Sequence, residues 1–202
     1  MGFAVSAESY DRFMGRFSEP LAAVFAELAA VPADVLRRTR VLDVGCGPGA
    51  LTAELLRRGA DVAAIDPSPP FVAAARARHP GVEVLEAAAE ALPFADGAFD
   101  AALAQLVVHF MRDPVQGVRE MVRVTRPGGT VACCVWDHAT GPLGVFWEAV
   151  ASLHVAAGPP PSEAARPGSR EGDLARILRC RALLPAAPFE VRAVAWAAVG
   201  RC

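Results

Sequence analysis

At 202 residues, with 53% hydrophobic residues, the chain has the size and composition of one globular domain, because domains typically run to ~100–200 residues. Its net charge is −2, and the arginines are scattered without a basic block, which leaves no electrostatic footprint for nucleic acid. The apolar runs stop well short of the ~20 residues a membrane span needs, so a membrane role is excluded and a small-molecule partner is favoured.

Met1 to Asp11 lack a basic segment followed by an apolar one, so no secretory signal is read there and a cytoplasmic location is expected. The five cysteines (Cys46, Cys133, Cys134, Cys180 and Cys202) form no C-x-x-C pair, and no metal site is expected. All twenty cationic side chains are arginine, which reads as the codon usage of a GC-rich, bacterial genome.

A single domain over 1–202 is divided into an N-terminal segment and helix (1–35), a core (36–136) and a C-terminal part (137–202). Ser18-Glu19-Pro20 opens a helix, with Ser18 as its cap and Leu21, Val24, Phe25, Leu28 and Val31 on one face. Next comes Val41-Leu42-Asp43-Val44-Gly45-Cys46-Gly47-Pro48-Gly49, a β-branched run broken by glycines at every second position. Leu51 and Leu55 follow one helical turn apart, and the helix stops at Arg57-Arg58-Gly59. Strand, tight loop and helix in this order make a nucleoside-type binding loop, since glycine lets backbone lie against a ligand. Dinucleotide folds use G-x-G-x-x-G, whereas here the spacing is G-x-G-x-G. Asp43 beside the loop would repel pyrophosphate and favour an ammonium group.

A second strand, Asp61 to Ile65, delivers Asp66 to the same crevice if it lies parallel to the first, and a carboxylate there can accept both hydroxyls of a ribose. Ser68 is a candidate cap and Pro69 the first residue of the next helix, on which Phe71 can lie against an adenine face. His79-Pro80-Gly81 ends that helix, and Val82 to Glu86 is the third strand. Phe99 to Ala104 is the fourth, ending with Gln105 facing the crevice. His109 lies just beyond and could serve as a general base. Asp113-Pro114 opens a helix with Val115, Val118, Met121, Val122 and Thr125 inward. A Pro127-Gly128-Gly129 turn then feeds the fifth strand, Thr130 to Trp136. Leu143, Phe146, Trp147, Val150 and Leu153 make a helical stripe, residues 158–169 are a Pro-rich linker, and a final strand runs from Phe189 to Trp196.

The glycine loop, the A-E-A-L-P-F segment at Ala89 to Phe94 and R-V-T-R-P-G-G-T-V at Arg123 to Val131 resemble the motifs of class I S-adenosylmethionine (SAM) methyltransferases of the small-molecule type. The resemblance implies an α/β, Rossmann-like doubly wound sheet, mostly parallel, in the order 3-2-1-4-5 plus a final antiparallel strand. The family's sixth strand is absent or shortened here. It further implies a cofactor site at Asp43, Gly45, Cys46, Gly47, Gly49, Asp66, Pro67, Ser68, Phe71, Ala89, Glu90 and Gln105. Tyr10-Asp11-Arg12-Phe13-Met14-Gly15-Arg16 is similar to a segment that folds over SAM, so Tyr10 and Arg16 join that set, Arg16 towards its carboxylate. One departure stands out: Ala88 occupies a place where the family often has an Asp for the adenine amino group. The expected activity is methyl transfer to an oxygen, nitrogen or carbon of a small molecule. The rival readings are a SAM-fold binding protein without turnover and an NAD-dependent oxidoreductase.

Overall fold

The computed structural model describes residues 6–29, 39–136 and 195–202. Its strands are β1 (Arg40–Val44), β2 (Asp61–Asp66), β3 (Glu83–Glu86), β4 (Phe99–Gln105), β5 (Thr125–Trp136) and β6 (Ala195–Arg201). They form one sheet in the order β3-β2-β1-β4-β5-β6. β1 pairs in parallel with β2 and β4, β2 with β3, and β4 with β5. β6 closes the edge as the final antiparallel strand, with Cys202 and Gly128–Gly129 exchanging backbone hydrogen bonds of 2.7 and 3.0 Å. The Rossmann-like order expected from the resemblance is therefore present.

Helices cover both faces, as a parallel sheet requires. Successive residues of β1 point to opposite sides. Val41 joins Leu51 and Leu55 of α3 (Ala50–Arg57) and Phe25 of α2 (Arg16–Leu28), while Leu42 and Val44 join Met121 and Val124 of α5 (Pro114–Val124). A smaller cluster of Ala64, Val72, Ala75 and Val84 lies under α4 (Pro69–Arg78). All the described residues except Trp136 belong to one compact unit, Met1–Val135 with Ala195–Cys202.

The N-terminal segment is helical earlier than its sequence implies. α1 (Ala7–Tyr10) passes through a π-helical turn, Asp11–Gly15, into α2. Ser6 caps it, accepting from the Ser9 N–H at 3.2 Å, and Ser18 is not a cap but lies inside, its hydroxyl donating to the Gly15 carbonyl at 3.4 Å. The buried face of α2 runs through Ala22, Phe25 and Ala26, whereas Val24 and Leu28 are more than half exposed. Small alanines on either side of Phe25 let α2 approach α3 closely, and Val24 and Leu28 fall on the outer side. Val31 lies outside the described residues.

Two other expectations are corrected. α5 buries Gly117, Met121 and Val124 and exposes Val115 and Val122. Pro127-Gly128-Gly129 is not a turn before the strand, because β5 already begins at Thr125, paired with Phe99, and resumes at Thr130 opposite Ala101. A Cβ on Gly129 would sit 2.5 Å from the Asp100 carbonyl oxygen, which is why the extra residues can cross here. The last strand is described over Ala195–Arg201, so it continues past Trp196, where the expected strand ended. Residues 189–194, the stripe from Leu143 to Leu153, the Pro-rich linker and the place of a sixth strand lie outside the described residues.

Candidate active site

The glycine loop leaves β1 with Gly45, Gly47 and Gly49 at φ of 71°, 54° and 104°, a region that L side chains resist. Its donors all turn inward. The N–H groups of Gly45 and Cys46 both donate to the Ile65 carbonyl, at 2.8 and 2.9 Å, and that of Gly49 donates to the Cys46 carbonyl at 3.0 Å. The Gly47 N–H donates to Asp66 Oδ2 at 2.9 Å, and Pro48 has no N–H. No donors are left between Gly45 and Gly49 to form an anion nest.

The three glycines serve different ends. A Cβ on Gly45 would meet Val107 Cγ2 at 2.3 Å, and one on Gly49 would meet His79 Nε2 at 2.7 Å. Both are therefore demanded by the protein's own packing. A Cβ on Gly47 would meet nothing within 4 Å, so Gly47 is the point at which backbone lies open to a ligand.

Two buried carboxylates flank this loop. Asp66, at the end of β2, accepts from the Gly47 N–H through Oδ2 and from the Ser68 N–H through Oδ1, at 2.9 and 2.8 Å. Burial pushes its pKa up, against the lowering effect of those two N–H groups. Asp43, on β1, accepts from the Thr52 hydroxyl through Oδ2 at 2.6 Å, while its buried Oδ1 has no partner. Burial pushes Asp43 up to about 7, with Asp66 adding to the rise and Thr52 opposing it. An unpartnered buried polar atom costs roughly 1–3 kcal/mol, so Oδ1 marks a place for a donor.

Phe71 is buried in the first turn of α4, and Tyr10 meets it edge-on with ring centroids 5.3 Å apart. Burial, and then the charges of Asp66 and Asp11, push the Tyr10 phenol up to about 12, so it stays a donor. Gln105 donates through Nε2 to the Ser18 carbonyl at 2.9 Å, tying β4 to α2, and its buried Oε1 has no partner. Ser68 occupies the N-cap position of α4, but its side chain does not cap; its own N–H donates to the Asp66 carboxylate, and Ser68 Oγ is buried without a partner. Pro67 is exposed, and Cys46 is buried, with burial driving its thiol pKa far upward.

The remaining candidates lie on α2, on the segment after β3 and on the turn after β4. Arg16 is exposed, with its guanidinium 5.5 Å from the Phe17 ring. Ala89 is buried beside Leu92 in the core, and Glu90 Oε1 accepts from the Arg112 and Asp113 N–H groups at 2.7 and 3.2 Å, fixing the approach to α5. His109 is exposed on a 3-10 turn and stacks on Phe110 with centroids 3.9 Å apart. Thr52, Arg78 and His79 were not singled out by sequence; only the position of Thr52 one residue after Leu51 in a buried helix face hinted at it. A cleft of about 310 Å³ opens between Tyr10–Asp11 and Pro48, Gly49, Arg78 and His79, without including Asp43, Gly47 or Asp66. Among the described residues no group of three or more His, Cys, Asp or Glu could hold a metal ion, and no helix is long and apolar enough to cross a membrane.

Residues 42–133 match the family described as Methyltransferase domain. An uncharacterized methyltransferase of Mycobacterium sp. (strain JLS) is 40% identical over 137 residues, 66% of this chain and 53% of that protein. The malonyl-[acyl-carrier protein] O-methyltransferase of Pseudescherichia vulneris is 35% identical over 161 residues, 75% of this chain and 59% of its own. An S-adenosylmethionine-dependent methyltransferase structure from Mesorhizobium loti is 27% identical, with a TM-score of 0.52 over 60% of this chain and 57% of that one. Sheet order, glycine loop and these matches define the class for the part they cover: residues 42–133 belong to the class I methyltransferase family. Within it, residues 42–133 are the methyltransferase domain itself, and the chain spans about half the length of the curated relatives it matches.

Proposed function

We propose that this protein transfers a methyl group from SAM to an oxygen, nitrogen or carbon atom of a small molecule. The observation that carries the reading is the trio of Asp43, Gly47 and Asp66: two buried carboxylates around the one loop glycine open to a ligand, with every loop donor facing inward. Such a crevice rejects pyrophosphate and suits a ligand that brings positive charge and hydroxyl donors. The nicotinamide alternative would find no phosphate donors between Gly45 and Gly49.

The groups present fit SAM. Each Asp66 oxygen holds one N–H and keeps a further lone pair, so the carboxylate can also accept from a ribose. Phe71 and Tyr10 supply aromatic surface beside it, and Asp43 Oδ1 offers an acceptor for an ammonium group. Gln105 Oε1, at the carboxyl end of β4, is a second open acceptor. Arg16, Ala89, Glu90 and the Cys46, Pro67 and Ser68 backbone belong to the outer part of the proposed site.

When bound, SAM supplies an electrophilic methyl group for in-line displacement. The chain's contribution is position: it holds the crevice rigid between two parallel strands so that a nucleophile can be kept ~3–3.5 Å away and in line. His109 is the candidate for removing a proton from that nucleophile. Calorimetry with SAM and its demethylated product, followed by an acceptor screen for S-adenosylhomocysteine release, tests the proposal. Binding without release on any acceptor would favour the reading of a SAM-fold protein without turnover, and no binding at all would end both.

A further inference from the structure

The last residues of α4 grip the glycine loop. Arg78 Nη1 donates to the Pro48 carbonyl at 3.2 Å. His79 sits against the face of Gly49, 2.7 Å from where a Cβ would be, with Nε2 3.2 Å from the Gly49 carbonyl oxygen. Through Nη2 the same Arg78 guanidinium pairs with the Asp11 carboxylate of the π-helical turn. Asp11 follows Tyr10, whose ring rests on Phe71 and whose phenol senses Asp66.

One planar side chain thus joins two segments far apart in sequence, and both flank the crevice. The Asp11 and Arg78 side chains are 29% and 42% exposed, and a pair so open adds little to stability by itself. Its geometry matters more than its energy. The forked guanidinium can hold a carboxylate with one arm and a carbonyl with the other, which a lysine ammonium does less well. The N-terminal segment is otherwise fastened at its far end, where Gln105 holds the Ser18 carbonyl. Between these fastenings lies the π-helical turn, a register that is rare and occurs mostly as single turns within α-helices.

We infer that Arg78 is a positioning residue that couples the seating of the N-terminal segment to the shape of the glycine loop. With Asp11 held, Tyr10 is kept on Phe71 beside Asp66; with Asp11 released, the segment lifts and the Pro48 carbonyl loses a donor in the same event. The inference rests on the proposed reading of the crevice as the SAM site. A ligand that binds only the seated form has its affinity reduced by the seated fraction.

The test uses the whole chain with S-adenosylhomocysteine as the probe, and compares Arg78→Gln, Asp11→Asn, the double variant and Arg78→Lys. Each single exchange should weaken binding about tenfold, mostly by faster dissociation, and the double variant should lose no more than either single one. Arg78→Lys should fall between. In the protein without ligand, amide hydrogen exchange over residues 7–16 should speed up in Arg78→Gln while β1 and β4 are unaffected. Binding equal to the unaltered chain, additive losses, or unchanged exchange at 7–16 would each overturn the coupling. If the unaltered chain does not bind the probe at all, the cofactor reading fails, and the exchange measurement still decides whether Arg78 seats the segment.

Discussion

The backbone N–H of Gly47 donates to Oδ2 of Asp66 across 2.9 Å, so the loop after β1 is fastened to the carboxyl end of β2 by the group proposed to hold a ribose. Asp66→Ala removes the acceptor for Gly47, the acceptor for Ser68 and the proposed ribose contact together. Affinity for SAM should fall by ~1.5–3 kcal/mol, the range for charged hydrogen bonds, and the melting temperature should drop by several degrees. Calorimetry showing unchanged affinity would remove Asp66 from the site.

Gly45 and Gly47 separate packing from binding. Gly45→Ala drives a Cβ into Val107 at 2.3 Å and should destabilise the fold by ~1–3 kcal/mol, with Val107→Ala restoring part of the loss. Gly47→Ala meets no protein atom and carries only the left-handed strain of ~1–2 kcal/mol, yet it should weaken SAM binding more than Gly45→Ala does among the folded molecules. Denaturant melts paired with binding isotherms read both effects. Equal loss of affinity in the two variants would contradict a ligand lying on Gly47.

Much of this architecture could be read from the chain, and the misreadings have a common cause. β1, β2 and β4 are short apolar runs that end where the sheet needs its crevice, and the Gly loop and Asp66 fall at their tips. Periodicity placed Phe25, Met121 and Thr125 inside correctly but put Val24, Leu28, Val115 and Val122 there too, because it ranks residues by hydrophobicity and passes over the small ones. Ala22, Ala26 and Gly117 pack closely and leave Val24, Leu28 and Val115 outside. The capping reading failed at Ser68 because Pro69 and Pro70 have no N–H to offer and the Phe71 N–H is taken by the Ser68 carbonyl at 3.0 Å. Contacts such as Thr52 to Asp43 or Arg78 to Asp11 join residues that no local pattern links, so they appear only once the chain is folded.

Asp43 should make both stability and binding depend on pH. Burial raises its folded pKa from 3.8 to about 7, so between those values the native state holds a proton that the unfolded chain has released. Asp43's contribution to stability then declines as pH rises from about 4 to about 7 and levels off above it, whereas carboxylates such as Glu54, lowered by its arginines, contribute in the opposite sense at lower pH. A cationic group at Oδ1 favours the carboxylate, so SAM binding should release a proton below about pH 7 and tighten as pH rises through that value. Calorimetry in buffers of different ionisation enthalpy measures the proton directly. Asp43→Asn should remove Asp43's part of both slopes, and a proton count of zero at pH 6 in the unaltered protein would exclude a cation at Oδ1.

His109 stands on an exposed turn against Phe110. It is the base proposed for the nucleophile, so His109→Ala should leave SAM affinity unchanged and lower turnover by ~10²–10⁴-fold, the range typical of general acid–base catalysis. A loss of only severalfold would remove His109 from the chemistry, and single-turnover rates distinguish the two.

Leu106 is the only non-glycine among the described residues with positive φ, 62°, and it sits between Gln105 and the Val107 that fills the space above Gly45. Holding an L residue there costs roughly 1–2 kcal/mol. In ordinary positions glycine is less stable than alanine by about 0.5–1 kcal/mol, through the freedom it adds to the unfolded chain. At Leu106 the order should reverse: both substitutions empty a buried side-chain site, but Leu106→Gly alone relieves the backbone, so it should be the more stable of the pair in denaturant melts. Should Leu106→Ala prove the more stable, the strain is not where the backbone places it. If the order does reverse, Leu106→Gly should still bind SAM more weakly than the unaltered chain, because the relaxed backbone no longer fixes Gln105 and Val107 at the rim of the crevice.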